Sequence, residues 1–213
     1  MTDEELKAIN AELAGKEARE IVEWAMDRAK GRAIVSTNFR PYEGVILHLV
    51  SQVKPDIPVL WVDHGYNTRE TYIVSEKLSQ QLGLNIHLYI PRRSAAHRDA
   101  LLGGIPPIED EAKHQLFTDE VKLEPFHRGM AELQPSVWFT ALRKVQNPNR
   151  ETMDIATTSG EGLLKISPVF YFSDEDMEAY LAEHDLPDEK NYYDPTKVLE
   201  NRECGLHLTH SGL

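Results

Sequence analysis

One cysteine, Cys204, stands in the 213 residues, and that scarcity excludes a good deal of chemistry. A single thiol closes no internal disulfide, builds no cysteine-rich zinc site and holds no iron–sulfur cluster alone. Basic residues are also in deficit. The chain has 23 Lys and Arg against 35 Asp and Glu, a net charge of −12. Nucleic-acid binding needs a basic surface and is not expected. A small anionic ligand stays open, because a pocket needs only a few converging cations. No apolar run approaches the length of a membrane span, so no membrane role is expected. The first residues, Met1-Thr2-Asp3-Glu4-Glu5, are acidic and form no apolar signal segment. One thiol without an export signal leads to the expectation of a cytoplasmic protein. The nine histidines include no HExxH motif and no Cys/His pairs at zinc spacing, so no metal is expected. There is no Gly-x-Ser-x-Gly elbow of a hydrolase.

What is present is a cysteine in an unusual place. A structural cysteine is usually a small apolar core residue. Cys204 instead lies in Arg202-Glu203-Cys204-Gly205-Leu206-His207, a polar stretch without helical or strand periodicity. That setting favours a reactive thiol over a packing residue.

Ahead of it, the pattern is α/β. Thr2 and Glu5 form a capping box before Leu6, Ile9 and Leu13 at helical spacing. A second helix is predicted over residues 17 to 30. Three short apolar runs follow, at residues 33–35, 58–62 and 86–90, separated by helical patterns around 44–53 and 70–82. Alternating buried strands and helices specify a parallel sheet with helices on both faces. Residues 93–118 read as irregular. A helix near 126–133, a strand at 137–142, a hairpin over 152–170 turning at Ser159-Gly160-Glu161-Gly162, and a helix capped by Ser173 complete the pattern. We expect one α/β domain over residues 1–185 and a mobile tail over 186–213 carrying Cys204.

Ligands of open parallel sheets bind beyond the carboxyl ends of the strands. Three loops qualify. Ser36-Thr37-Asn38-Phe39-Arg40 offers hydroxyls and N–H groups before a helix, suited to phosphate or to an ordinary cap. It lacks the Gly-Lys-Ser/Thr of a Walker loop. In Asp63-His64-Gly65-Tyr66, Asp63 can accept from a ribose or adenine group and Gly65 permits close approach. Taken alone, the segment reads as an ordinary strand-to-helix turn. Residues 143–150 hold Arg143, Lys144, Gln146 and Arg150, a cationic loop for an anion or a solvated charge run.

Together these segments resemble the sulfonucleotide reductases, specifically the phosphoadenylyl-sulfate (PAPS) reductase family. Glu203-Cys204-Gly205-Leu206-His207 is similar to that family's C-terminal catalytic motif. Ser36-Thr37-Asn38-Phe39 resembles its phosphate loop. Asp63-His64-Gly65-Tyr66 with Glu70-Thr71-Tyr72, Lys122-Leu123-Glu124-Pro125, and Trp138 to Arg143 with Gln146 and Arg150 follow in the family's order. Two departures stand out. Arg40-Pro41 replaces the glycine that usually continues the phosphate loop, and a glycine-rich segment with Ser-Val-Gly-Asp is missing before the cysteine motif.

The resemblance implies an adenine-nucleotide α-hydrolase-like (PP-loop-like) fold. It implies thioredoxin-dependent reduction of PAPS to sulfite and adenosine 3′,5′-bisphosphate through an S-sulfocysteine, as in sulfate assimilation and cysteine biosynthesis. By the same resemblance Cys204 is the nucleophile, and His207 orients the tail or assists a proton transfer. Ser36, Thr37, Phe39, Arg40, Asp63, Gly65, Lys122, Arg143, Gln146, Arg150 and Arg202 bind substrate. The electron donor is reduced thioredoxin or glutaredoxin, no cofactor is bound, and a homodimer is compatible. The related adenylyl-sulfate branch carries extra cysteines for a [4Fe–4S] cluster, which this chain lacks. Two alternatives stay open: a non-catalytic nucleotide- or partner-binding paralogue, and an ATP pyrophosphatase, although the latter's Ser-Gly-Gly-x-Asp-Ser is absent.

Overall fold

In the computed structural model, residues 1–160 and 162–196 are described, the side chain of Asn149 excepted. The expected tail therefore lies mostly outside the described residues. Within them, six strands form one sheet. They are β1 (Ala33–Thr37), β2 (Pro58–Val62), β3 (Asn85–Tyr89), β4 (Val137–Phe139), β5 (Ala156–Thr158) and β6 (Leu164–Ile166), in the order β3-β2-β1-β4-β6-β5. The first four and β6 run parallel, while β5 pairs antiparallel with β6. The sheet is thus mixed at one edge. A hairpin can only return antiparallel, and the Gly162 N–H donating to Ser159 O closes this one.

The strands alternate. Ala33, Val35, Val59, Val137, Phe139, Leu164 and Ile166 face one core, and Ile34, Leu60, Val62 and Trp138 face another. The first, larger core is covered by α1 (Asp3–Leu13), α2 (Ala18–Ala29), α3 (Glu43–Val53), α4 (Arg69–Leu82) and the helix Asp174–Glu183. The second lies under Glu124–Leu133, which contributes Phe126, Met130 and Leu133. Each fully buried Val, Leu, Ile or Phe side chain contributes about 1.5–3 kcal/mol. Gly129 marks the closest approach of that helix. A Cβ there would stand 2.8 Å from the Tyr89 ring and 2.9 Å from Leu60.

Residues 93–118 are not irregular. They contain α5 (Ala95–Leu102) and α6 (Glu111–Thr118), so Glu124–Leu133 becomes α7 and Asp174–Glu183 becomes α8. The α5 helix has a Ser94 cap and ends at Gly103, φ 79°. Its one buried residue is Arg98, while Leu101 and Leu102 are exposed, so no apolar stripe announces it. A π-helical turn, Asp119–Leu123, joins α6 to α7 and buries Val121 and Lys122.

Residues 186–196 pack onto the domain instead of leaving it. Leu186, Asp194 and Thr196 are buried. Thr68 Oγ1 donates to Asn191 O, and His114 Nε2 lies 3.1 Å from Pro195 O. No helix among the described residues is long and apolar enough to cross a membrane.

Candidate active site

From β1 the chain runs outward to β2 and β3 on one side, and β4 joins β1 on the other. The carboxyl ends of β1 and β4 therefore flank the topological switch point, where open α/β sheets bind ligands. The loops expected from the sequence meet at this end of the sheet.

The loop after β1 is organised by Glu43, at the start of α3. Its Oε2 accepts from Thr37 Oγ1 and from Asn38 N–H, each at 2.7 Å, and its Oε1 accepts from Arg40 Nε at 2.8 Å. The Phe39 N–H donates to Thr37 Oγ1. Two of the N–H groups expected to cradle phosphate are thus already engaged within the loop. Phe39 (φ 51°) and Tyr42 (φ 71°) both adopt left-handed backbone, which carries strain for bulky side chains. The carboxylate clamp and the edge-on contact of Phe39 with Trp61, centroids 4.8 Å apart, hold that shape. Ser36 points to the other side of the sheet and accepts from Trp138 Nε1.

After β2, Asp63 Oδ1 accepts from Gly65 N–H, Asn67 Nδ2 and Tyr72 Oη. Burial, reinforced by the hydrogen bond to Asp63, pushes the Tyr72 phenol up to about 12. Gly65 has φ 82°, and a Cβ there would sit 3.3 Å from that of Ala95. Next to it, His64 is buried. Its Nδ1 accepts from Tyr66 N–H at 3.0 Å, and its carbonyl accepts from Arg98 Nη2. Burial first, then Lys122 and Arg98, lower the imidazole pKa despite Asp194 and Asp63.

Lys122 is buried with Asp194. Its Nζ donates to Asp194 Oδ2 at 2.5 Å and to Thr196 Oγ1 at 3.1 Å, while Thr196 N–H and Oγ1 donate to Asp194 Oδ1. Burial would raise Asp194, but the Lys122 charge and these hydrogen bonds outweigh it and hold the carboxyl well below the usual range.

The cationic loop is neither solvated nor loose. Arg143 is 2% exposed. Its Nη2 donates to Asp174 Oδ1 at 2.7 Å, its Nη1 to Phe172 O, and its guanidinium lies 5.1 Å over the Tyr42 ring. Gln146 Oε1 accepts from Arg143 N–H and Arg150 Nη1, which also donates to Arg143 O. Lys144, Val145 and Pro148 of this loop face solvent.

The structure joins Thr37 and Arg40 through Glu43, sets Asp63 and Lys122 around His64 beside Gly65, and ties Arg143, Gln146 and Arg150 into one network. Cys204, His207 and Arg202 lie outside the described residues. Sequence reasoning missed Glu43, His64 and Asp194. For Glu43 there was a usable signal, an acid at a helix start beside Thr37 and Arg40. For Asp194 there was none, because its partner lies 72 positions away.

Residues 32–194 match the family described as the phosphoadenosine phosphosulfate reductase domain. A phosphoadenosine 5′-phosphosulfate reductase of Synechococcus sp. is 35% identical over 182 residues, 85% of this chain and 78% of that one. One from Xanthomonas euvesicatoria pv. vesicatoria is 37% identical over 189 residues, 86% and 76% of the two chains. In fold, the chain is similar to the crystal structure of PAPS reductase from Candida auris in complex with phosphate. The TM-score is 0.77 at 22% identity, covering 88% of this chain and 89% of the other. With that match over most of its length, the chain belongs to the phosphoadenosine phosphosulfate reductase family.

Proposed function

We propose that the protein reduces 3′-phosphoadenylyl sulfate to sulfite and adenosine 3′,5′-bisphosphate, with Cys204 as nucleophile and a reduced thioredoxin-class dithiol as electron donor. The observation that carries this reading is the family match over residues 32–194, followed in the sequence by the single cysteine in Glu203-Cys204-Gly205-Leu206-His207.

The Cys204 thiolate attacks the sulfur of the sulfate group. The bond from that sulfur to the bridging oxygen breaks, and its electron pair leaves with the nucleotide phosphate. The protein is left with an S-sulfonated cysteine. A thiolate of the dithiol then attacks Cys204 Sγ and sulfite departs with the sulfur–sulfur bonding pair. The second thiol resolves the mixed disulfide. The dithiol is oxidised by two electrons, and sulfur is reduced from sulfate to sulfite.

The sheet's switch point offers the nucleotide a seat between the β1 and β4 loops. Lys122, Arg143, Arg150 and Arg202 supply positive charge for the phosphosulfate and the 3′-phosphate, and the same charge favours the Cys204 thiolate. Arg143 and Arg150 are pre-organised by Asp174, Gln146 and the Phe172 carbonyl, so little side-chain entropy is lost on binding. Asp63 and Gly65 face the nucleoside. His207 orients the cysteine segment or moves a proton. Residues 1–196 serve as the nucleotide-binding body, and the reaction is placed in the cytoplasm.

The test is sulfite release from PAPS with reduced thioredoxin and with reduced glutaredoxin. Sulfite formed stoichiometrically with adenosine 3′,5′-bisphosphate supports the reading. Nucleotide binding without sulfite from either donor would leave the non-catalytic alternative.

A further inference from the structure

Buried donors without acceptors are rare, and each such group asks for an explanation. His64 provides one at the end of β2. The residue is 2% exposed, and its Nε2 has no hydrogen-bond partner among the described residues. Because Nδ1 accepts the Tyr66 N–H, the neutral ring carries its proton on Nε2. The ring is fixed from several sides. Its carbonyl is gripped by Arg98, and Tyr66 stacks parallel to it, centroids 6.3 Å apart and planes at 25°. Asp63, immediately before it, is held by three donors. Against these committed groups, the His64 Nε2–H is left without a hydrogen-bond partner among the described residues. The charged groups acting on the ring are Asp194, Lys122, Asp63 and Arg98.

We propose that His64 is a nucleotide-contacting residue whose Nε2–H donates to an anionic oxygen of the bound nucleotide, beside Lys122. This rests on the nucleotide reading given above. The assignment explains why an orphaned donor is kept in a buried place: it is orphaned only without ligand. It also explains why the ring is locked in one tautomer, since the opposite tautomer would present a lone pair and repel the anion. A neutral donor adds direction beside the Lys122 ammonium, which acts as a point charge.

The test uses the full chain and adenosine 3′,5′-bisphosphate. Long-range proton–nitrogen correlation spectra report the two ring nitrogens of His64 separately. On titration, the Nε2–H signal should move downfield and exchange more slowly, while Nδ1 keeps its acceptor shift. By calorimetry, His64→Phe should bind about tenfold more weakly or worse, and His64→Gln, which retains an N–H, should recover part of that loss. Wild-type protein that binds the bisphosphate with no change at His64 Nε2 overturns the contact, as does His64→Phe binding at the wild-type level. If His64→Phe does not fold by circular dichroism, the wild-type spectra decide alone. Wild-type protein that does not bind the bisphosphate overturns the proposed function, and the contact with it.

Discussion

Asp194 Oδ2 sits 2.5 Å from Lys122 Nζ, with both side chains 2% exposed and 72 positions apart in the sequence. This pair fastens residues 191–196 to the π-helical turn between α6 and α7. It also brings a carboxylate to the lysine that the family resemblance assigns to substrate.

Breaking a buried pair from one side strands the other charge. Asp194→Leu alone is expected to destabilise the protein by about 3–5 kcal/mol, and Lys122→Met with Asp194→Leu together by less than the sum of these two single changes. Urea unfolding of the three variants checks this. Additive losses would mean that the two side chains do not interact.

The same pair sets the acid limit of stability. Asp194 is held below its ordinary value of 3.8 in the folded state. Its contribution is therefore complete above that pH and is lost as pH falls through the unfolded and then the folded value. The histidines act earlier. Burial lowers both His64 and His48 from 6.5, so the unfolded chain takes up protons first and stability declines as pH falls below that value. Unfolding free energies measured from pH 8 to 3 should fall in these two steps, and His64→Gln should flatten the first. A flat profile between pH 7 and 5 in the wild type would contradict it.

Arg143→Ala is expected to weaken binding of adenosine 3′,5′-bisphosphate and also to lower the melting temperature. The loss of a charged hydrogen bond to the Phe172 carbonyl costs about 1.5–3 kcal/mol. Contact with the Tyr42 ring goes as well. The Asp174 arm adds little, because that carboxylate is 62% exposed. Calorimetry and thermal melts of the same preparation measure both effects. Normal binding with a lowered melting temperature would reduce Arg143 to a structural role.

Glu43→Gln should raise KM for PAPS more than it lowers kcat. A neutral amide oxygen replaces a carboxylate that accepts from Thr37, Asn38 and Arg40, which loosens a loop with two left-handed residues. The loss is about 1.5–3 kcal/mol in stability by denaturant titration. An unchanged KM would show that the loop keeps its shape without the charge.

The parts legible in the sequence are those governed by short-range pattern. Strands β1 and β2 announce themselves by the apolar runs 33–35 and 58–62, and α1 and α8 by the Thr2 and Ser173 caps. The helix α5 was hidden because its buried face is Arg98, although Ser94 and Gly103 bracket it correctly. The loops bearing Thr37, Asp63 and Arg143 were legible as strand ends. Their internal wiring was not. Whether Arg143 faces solvent or packs on the Tyr42 ring depends on Tyr42 and Asp174, which the sequence holds far away. The packing of residues 191–196 escaped for the same reason, since one polar aperiodic segment looks like another until Lys122 and His114 are seen to meet it.

The central claim is that Cys204 takes a sulfonate from PAPS and yields it as sulfite. Mass spectrometry of the intact protein mixed with PAPS, without reductant, tests this most directly. The expected result is one sulfonate adduct, mapped to the peptide containing Cys204, absent in Cys204→Ser and discharged as sulfite by reduced thioredoxin. A protein that binds PAPS but gains no mass, or an adduct that persists in Cys204→Ser, would contradict it.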